Sequence, residues 1–375
     1  MKVALIVPGG VDASGEVRVI PALVAVIGRL AAAHEVHVFA THQDATPGNW
    51  MLEGAHVHNL GLPRTASRAA ASILLRHRAR PFDVLHAFWS GWHGALAVGV
   101  GKWVGVPSVV HVAGGELADL RDIGYGGCRS WRGRIRERVV LRSATLVTCA
   151  SRPIAKLIAE RGVSAETVPL GVDLTRWPLS GPLRRRAGEP PRLLHVASLN
   201  AVKDQGTLLR ALLRLADEGR EFHLDVVGED TLGGRVQAQA DELGIARRIR
   251  FHGVLTQRAL RPIVEAAHIA IVSSRHEAGP VVALEAAAAG VPTVGTEVGH
   301  IAEWSPRAAL AVRSGDADAL AAAVARLIDD EDLRLMLAEA AQRIAGRDDA
   351  DRTARAFDEI YRRLASRRVA NGVAT

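Results

Sequence analysis

Two hydrophobic rhythms alternate along the chain. Short runs with apolar residues at consecutive positions recur at 2–8 (KVALIVP), 35–40 (EVHVFA), 55–60 (AHVHNL), 82–87 (FDVLHA), 107–112 (PSVVHV) and 145–150 (TLVTCA). Several of them lack the in–out alternation of a half-exposed strand, so they read as parallel strands covered on both faces. Segments of helical period separate them, over 15–33, 66–79, 92–104, 130–142 and 151–162. The rhythm then repeats. Strands are predicted at 192–198, 222–228, 247–253, 268–274 and 291–296. Helices are predicted near 204–219, 231–243, 256–266, 280–290, 316–329 and 331–346. Such β-α-β-α alternation is the signature of an open parallel sheet. Two α/β domains in tandem are therefore expected, Rossmann-like and doubly wound, over 1–175 and 192–350. The stretch 176–191, rich in Pro, Gly and Arg and without periodicity, reads as a linker, and 351–375 as a closing helix with a small-residue tail from 367. Ligands of such sheets bind outside the carboxyl ends of the strands, and two such domains facing each other would enclose one central cleft. That architecture serves several functions and settles none of them.

Composition narrows the class. With 375 residues, 48% hydrophobic and 23% charged, the chain can bury full-sized cores, which excludes a disordered chain. Its two cysteines, Cys128 and Cys149, form no Cys-x-x-Cys and no Cys/His cluster. A disulfide framework and a structural zinc site are not expected, and the count suits a reducing compartment. No apolar run approaches the ~18–20 residues of a membrane span. The opening MKVALIVPGG runs into Pro8-Gly9-Gly10 too soon for a signal peptide. A cytoplasmic protein is expected. Of the net charge of +7, residues 1–175 carry +6, an excess that serves an anionic substrate, a membrane surface or nucleic acid. Lysine occurs at four positions, Lys2, Lys102, Lys156 and Lys203, so each merits inspection.

Candidate chemistry concentrates in SSRHEAGPVVALEAAAAGVPTVGT, residues 273–296. A strand ends at Ser274, Glu277 follows in the loop, and Gly279-Pro280 opens a helix that contains Glu285 and ends at Gly290. A helix N-terminus offers free amides and the positive end of a dipole to an anion. A carboxylate beside it accepts from vicinal hydroxyls. Phosphate plus vicinal hydroxyls describes a nucleotide sugar. A solvated Glu277 and a charge-paired Glu285 are the alternative.

The Glu-x7-Glu pair, Glu277 and Glu285, followed by AAAAGVPTVGT, resembles the retaining GT-B glycosyltransferases of family 4. Further segments fall in the same order: VASLNAVKDQGTLLRAL (196–212), VVGED (226–230), IRFHGVL (249–255), VPLGVDLTRW (168–177) and VPGGVDASGE (7–16). The resemblance implies the GT-B architecture, with the first domain on the acceptor side and the second on the donor side. It implies that Glu285 binds ribose hydroxyls, Glu277 binds hydroxyls of the transferred sugar, and Lys203 holds the donor diphosphate. Gly9 and Gly10 would let their loop approach that diphosphate, and His111 stands where the family has an active-site histidine. Where many relatives carry Gly-Arg, this chain has Ala197-Ser198, so an uncharged Ser198 replaces an arginine of the diphosphate clamp. After Glu277 it has Ala278-Gly279 in place of Gly-Phe, which reshapes the donor pocket.

No cofactor and no metal are expected. Asp316-Ala317-Asp318 and Asp349-Ala350-Asp351 match the letters of a metal-binding Asp-x-Asp, but each opens a helix and ends no strand. No GxGxxG follows the first strand, which disfavours a dinucleotide dehydrogenase. The expected partners are a nucleotide-sugar donor and an unidentified acceptor, with no nucleic acid. Two rivals remain: a two-lobed sugar-binding protein, which needs an export signal, and a related GT-B epimerase or phosphorylase. The segment 128–142 (CRSWRGRIRERVVLR) raises peripheral membrane contact. Arg138 and Arg142 fall on the same side as Trp131 and Ile135, so the pattern favours a solvated helix instead.

Overall fold

The computed structural model describes every residue except Arg64, Ala187 and 371–375. The chain divides into two compact units, Met1–Gly171 with the chain from Ala350 onward, and Val172–Asp349.

The first unit is built on strands β1 (Lys2–Val7), β2 (Glu35–Ala40), β3 (Gly48–Leu52), β4 (Ala55–Asn59), β5 (Val84–Phe88), β6 (Ser108–Val112), β7 (Leu146–Cys149) and β8 (Glu166–Thr167). Their order is β3-β4-β2-β1-β5-β6-β7-β8, with every neighbour parallel except the β3–β4 pair. All six residues of β1 are buried, as a strand covered on both faces requires. Its helices are α1 (Pro21–Ala31), α2 (Ala66–Ala79), α3 (Ala95–Val104), α4 (Trp131–Ser143) and α5 (Arg152–Ala159).

The second unit has strands β9 (Arg192–Val196), β10 (His223–Val227), β11 (Ile249–Phe251), β12 (Ile269–Val272), β13 (Thr293–Thr296) and β14 (Ala309–Val312). They form an all-parallel sheet of order β11-β10-β9-β12-β13-β14. Helices α6 (Gln205–Asp217), α7 (Arg235–Glu242), α8 (Gln257–Glu265), α9 (Val281–Ala288), α10 (Gly299–Trp304), α11 (Ala317–Asp329) and α12 (Glu331–Arg347) cover it. Neighbouring residues on β9 serve opposite faces. Leu193 packs with Leu208, Phe222 and Leu320, and Leu194 packs with Val264, Leu284 and Trp304.

Several elements differ from the sequence pattern. The helix expected over 15–33 begins only at Pro21, its first residue. Before it, Val19 bridges to Val11 and the Ile20 amide donates to the Gly10 carbonyl at 2.9 Å, so residues 11–20 fold as a loop. Strands β3, β8 and β14 and helix α10 were not foreseen, because each is short and none stands alone as a periodic segment. The stretch expected as a linker is a strap on the second unit. Trp177 is buried, the Ser180 amide donates to Ala288 O at 2.9 Å, and the Arg185 amide donates to Glu331 at 2.8 Å. The final helix α13 (Ala350–Ala370) extends past 367, where a tail was expected, and 371–375 lie outside the described residues. It packs on α1 and β5, which returns the chain end to the first unit.

Candidate active site

Strand order locates the site. In the second sheet the order reverses between β9 and β12, so the loops leaving these neighbours diverge and open a crevice at their carboxyl ends. Lys203 lies on the loop after β9 and Glu277 on the loop after β12. The two loops are stitched together: Ser273 Oγ donates to the Lys203 carbonyl at 2.8 Å, and the Arg275 amide donates to Val202 O at 2.7 Å. Asp204 takes the left-handed conformation, φ 49°, and caps α6 by accepting from the Thr207 amide at 3.2 Å. That turn fixes where the preceding lysine emerges.

Lys203 Nζ forms an ion pair with Glu277 Oε1, and Ser274 Oγ donates to the same oxygen at 2.6 Å. The two charged side chains are 25% and 15% exposed, sheltered yet reachable. Beyond them Pro280 stands at the N-cap of α9, so no side chain caps the first amides of that helix, of which Ala283 donates to the Pro280 carbonyl at 3.0 Å. Gly279 precedes it, half-buried.

Glu285 sits deeper on α9 and is buried. Gln257 Nε2 donates to its Oε1 at 2.8 Å, and Trp177 Nε1 donates to Gln257 Oε1 at 3.2 Å. Burial pushes the Glu285 carboxyl up to about 7, against the hydrogen bond from Gln257, which favours the ionised form. Its partner is neutral, and no charge pairs with it among the contacts described. Ser198 lies half-buried after β9. Its carbonyl accepts from Gln205 Nε2 at 3.2 Å, and the same amide reaches His195 Nε2 at 3.2 Å. His195 Nδ1 donates to Ile271 O at 2.9 Å, and burial lowers this imidazole to about 4, so it is a neutral floor under the loops.

In the first unit Gly9 and Gly10 follow β1 at the corresponding reversal, between β1 and β5. Gly10 has φ 77°, and a Cβ there would come within 2.5 Å of Ile20. A Cβ on Gly9 would stand 2.9 Å from the His42 carbonyl, so local packing alone requires both glycines. His111, expected in the site, stands near the end of β6. It is fully buried among Phe88, His86 and Phe357, with Nδ1 bonded to Thr148 Oγ1 at 2.9 Å, and burial lowers it to about 3. Its Nε2 has no hydrogen-bond partner among the described residues.

The sequence reading missed Ser274, Gln257, Trp177 and Glu116. Ser274 had a local signal, three residues before Glu277. Gln257 lies 28 positions from Glu285, beyond any local pattern. Glu116 is buried in the first unit and accepts from the amides of Ser90 at 3.1 Å and Gly114 at 2.7 Å, which ties the loops after β5 and β6; burial raises it to about 7.

The two Asp-x-Asp sites act as the helix-start reading expects. Asp316 caps α11 through the Ala319 amide at 2.9 Å, Asp318 pairs with Arg214, and Asp351 pairs with Arg29. Among the described residues no three His, Cys, Asp or Glu side chains gather as metal ligands, and no helix is long and apolar enough to cross a membrane.

Two parallel-sheet units with an ion pair at a strand-order reversal are the GT-B fold of glycosyltransferases, and the solved structures agree. Sucrose-phosphate synthase from Thermosynechococcus elongatus superposes with a TM-score of 0.80 at 18% identity, over 98% of this chain and all of that one. HepE from Anabaena, solved in complex with UDP-glucose, gives 0.75 at 18% identity over 96% of this chain and 99% of that one. The family model for glycosyl transferases group 1 matches residues 184–344, and that for the glycosyl transferase 4-like domain matches 19–171. D-inositol 3-phosphate glycosyltransferase of Salinispora arenicola (strain CNS-205) is 31% identical, covering 89% of this chain and 84% of that one. Glycogen synthase of Mycobacterium tuberculosis (strain ATCC 25618 / H37Rv) is 29% identical, covering 76% and 69%. The chain is a glycosyltransferase, and it belongs to the glycosyl transferases group 1 family.

Proposed function

We propose that the enzyme moves a sugar from a nucleoside-diphosphate sugar to an acceptor hydroxyl, with retention of anomeric configuration and no essential metal ion. The observation that carries this reading is the Lys203–Glu277 pair on the two loops that flank the reversal of the second sheet. A donor diphosphate would draw the Lys203 ammonium away from Glu277 and free that carboxylate for the hydroxyls of the transferred sugar. Glu285 accepts from the ribose hydroxyls. Ser198, Gly279 and the first amides of α9 complete the donor contacts, and Gly9 and Gly10 keep the role of a turn that admits a phosphate. The bond between anomeric carbon and diphosphate oxygen breaks with oxocarbenium character, its electron pair leaving with the diphosphate. Lys203 and the α9 dipole hold the charge that develops there. His111, on β6, is kept as a site residue on the family resemblance, and its unpartnered Nε2 supports that.

The reading includes a cytoplasmic location, supported by a sequence with two cysteines and no disulfide framework, with the acceptor met in the cytoplasm or at the cytoplasmic membrane face. The test is a donor screen with UDP-, GDP-, ADP- and TDP-sugars. A donor at a hundred times its dissociation constant adds ~2.7 kcal/mol, readable as a rise in melting temperature. The product of the active donor should carry the donor's anomeric configuration by proton NMR and form equally in EDTA. Inversion at the anomeric carbon, or loss of turnover in EDTA, would refute the corresponding part.

A further inference from the structure

Helix α4 presents a surface that the transfer chemistry does not use. Its inner face, Gly133, Glu137, Val140 and Leu141, is buried. Its outer face leaves Trp131, Ile135 and Val139 exposed by 61%, 53% and 56%. These three positions are four apart and form one continuous apolar stripe along the helix. Arginines border it on both sides: Arg134, Arg138 and Arg142 along one edge, Arg132 and Arg136 along the other. The sequence pattern had set Arg138 and Arg142 on the side of Trp131. The fold resolves the conflict by burying the opposite face, so that stripe and arginines share the outward surface as centre and rim.

On one rim the surface deepens into a cavity of 540 Å³ lined by Arg134, Arg138, Arg142 and Arg161, with Cys128 and Glu160. Four guanidiniums meet one carboxylate there. Arg142 and Arg161 bond backbone carbonyls, at 3.4 Å to Arg161 O and 2.6 Å to Leu157 O, which satisfies donors without neutralising charge. Arg134 reaches Asp119 only at 3.9 Å. Among the described residues no ion pair involves Arg132, Arg138 or Arg142. Like charges four apart repel along a helix. Exposed apolar stripes are kept for contacts. One helix carries both, on one face.

We propose that this face of α4 docks the enzyme on an anionic phospholipid surface, with the arginine cavity taking a headgroup phosphate. Guanidinium groups bind phosphate through paired N–H donors. Trp131 belongs at the depth of the headgroups, where its ring is half apolar and half polar. An interfacial helix needs charge attraction and buried apolar area together, and this surface supplies both. A soluble phosphate compound would fill the cavity yet leave Trp131, Ile135 and Val139 in water, so the stripe selects the lipid source. The proposal deepens the peripheral placement given above and rests on that reading for location only, not for catalysis.

The test uses the full chain sedimented with vesicles of phosphatidylcholine alone or mixed with phosphatidylglycerol. Binding is expected to the mixed vesicles only, and to disappear as salt rises to about 0.5 M, where the screening length is a few ångströms. Arg138→Ser with Arg142→Ser should lower the partition coefficient about fivefold per arginine. Trp131→Ser with Ile135→Ser should lower it further even at low salt, with unchanged circular dichroism melts for both pairs. Equal binding to neutral and mixed vesicles, or full binding by either variant pair, overturns the proposal. So does a melting shift with inorganic pyrophosphate that both variants lose while vesicles bind nothing, which would make the cavity a soluble-anion site. Donor-induced stabilisation measured on the same samples separates the two readings: its survival without vesicle binding removes the docking face and leaves the transferase intact.

Discussion

At the scale of single residues, the proposed function divides the donor between Lys203 and the two glutamates. Lys203 pairs with Glu277, and under that proposal its charge is worth most as the leaving group departs. Lys203→Ala should reduce turnover by roughly 10²–10³, the usual consequence of removing one preorganised electrostatic contact. A steady-state assay that keeps more than half its rate would contradict the role. The glutamates should separate by ligand. In calorimetric titration with the free nucleoside diphosphate, Glu285→Ala should weaken binding, and Glu277→Ala should bind normally yet fail to transfer. Glu285 adds a pH signature. Its folded-state value, about 7, lies above the ordinary 4.5, so the stability held by its neutral form is complete below 4.5 and lost as pH rises through 7. The melting temperature of the free protein should therefore fall across that window. Glu116, also raised to about 7, contributes to the same slope. The difference between the parent and Glu285→Gln isolates the one group: the variant should show the flatter fall, and parallel curves would sink the assignment.

At the scale of elements, legibility followed how far a residue's reason lies along the chain. The covered inner strands of both sheets were readable because such parallel strands write consecutive apolar positions, and the outermost β3, β8 and β14 were not. The junction around Glu277 was readable because strand, loop, proline and helix follow one another within a few residues. Helix α1 was overextended because residues 15–20 carry no breaker as strong as the pairing of Val19 with Val11 that shapes them. Gln257 and Trp177 were silent because their link to Glu285 crosses from α8 and the strap to α9. The surroundings of His111 were silent for the same reason. Its strand-end position is local, whereas the helix that buries it arrives from the far end of the chain as Phe357. The strap shows how such remote reasons become stability. Arg334 on α12 is 1% exposed and binds Glu331 at 2.9 Å and His268 O at 3.2 Å, with a further bond to Leu183 O. Arg334→Met leaves Glu331 and two carbonyls short of partners, and should cost about 3–5 kcal/mol in denaturant unfolding. The exposed pair of Arg184 with Asp332 serves as control, and its removal should cost about 0–1 kcal/mol. Similar losses in both would show that burial does not decide the cost.

At the scale of the whole molecule, the chain leaves the first unit at Gly171 and re-enters it at Ala350, so one unit is completed only by residues that follow the other in sequence. Thr353 secures the return, donating to Pro169 O at 2.7 Å and accepting from the Gly171 amide at 2.9 Å. Helix α13 then lays Phe357, Ile360, Tyr361 and Leu364 against the first unit, all nearly or wholly buried. Tyr361 shares a 2.6 Å hydrogen bond with His86 on β5, and His34 meets Asp358 at 2.9 Å. Four large side chains at ~1.5–3 kcal/mol each amount to roughly 6–12 kcal/mol. That is comparable with the whole stability of a domain, about 5–15 kcal/mol. Truncation after Asp349 should therefore unfold the first unit and spare the second, although the cut removes no residue assigned to the donor. Hydrogen exchange read by mass spectrometry tests this strand by strand. Amides of β1, β5 and β6 should lose protection while those of β9 and β12 keep it. The nucleoside diphosphate should still bind the truncated chain, because Lys203, Glu277 and Glu285 all belong to the second unit, while sugar transfer should vanish. Protected first-unit strands in the truncated protein would mean that α13 only covers a domain already stable without it.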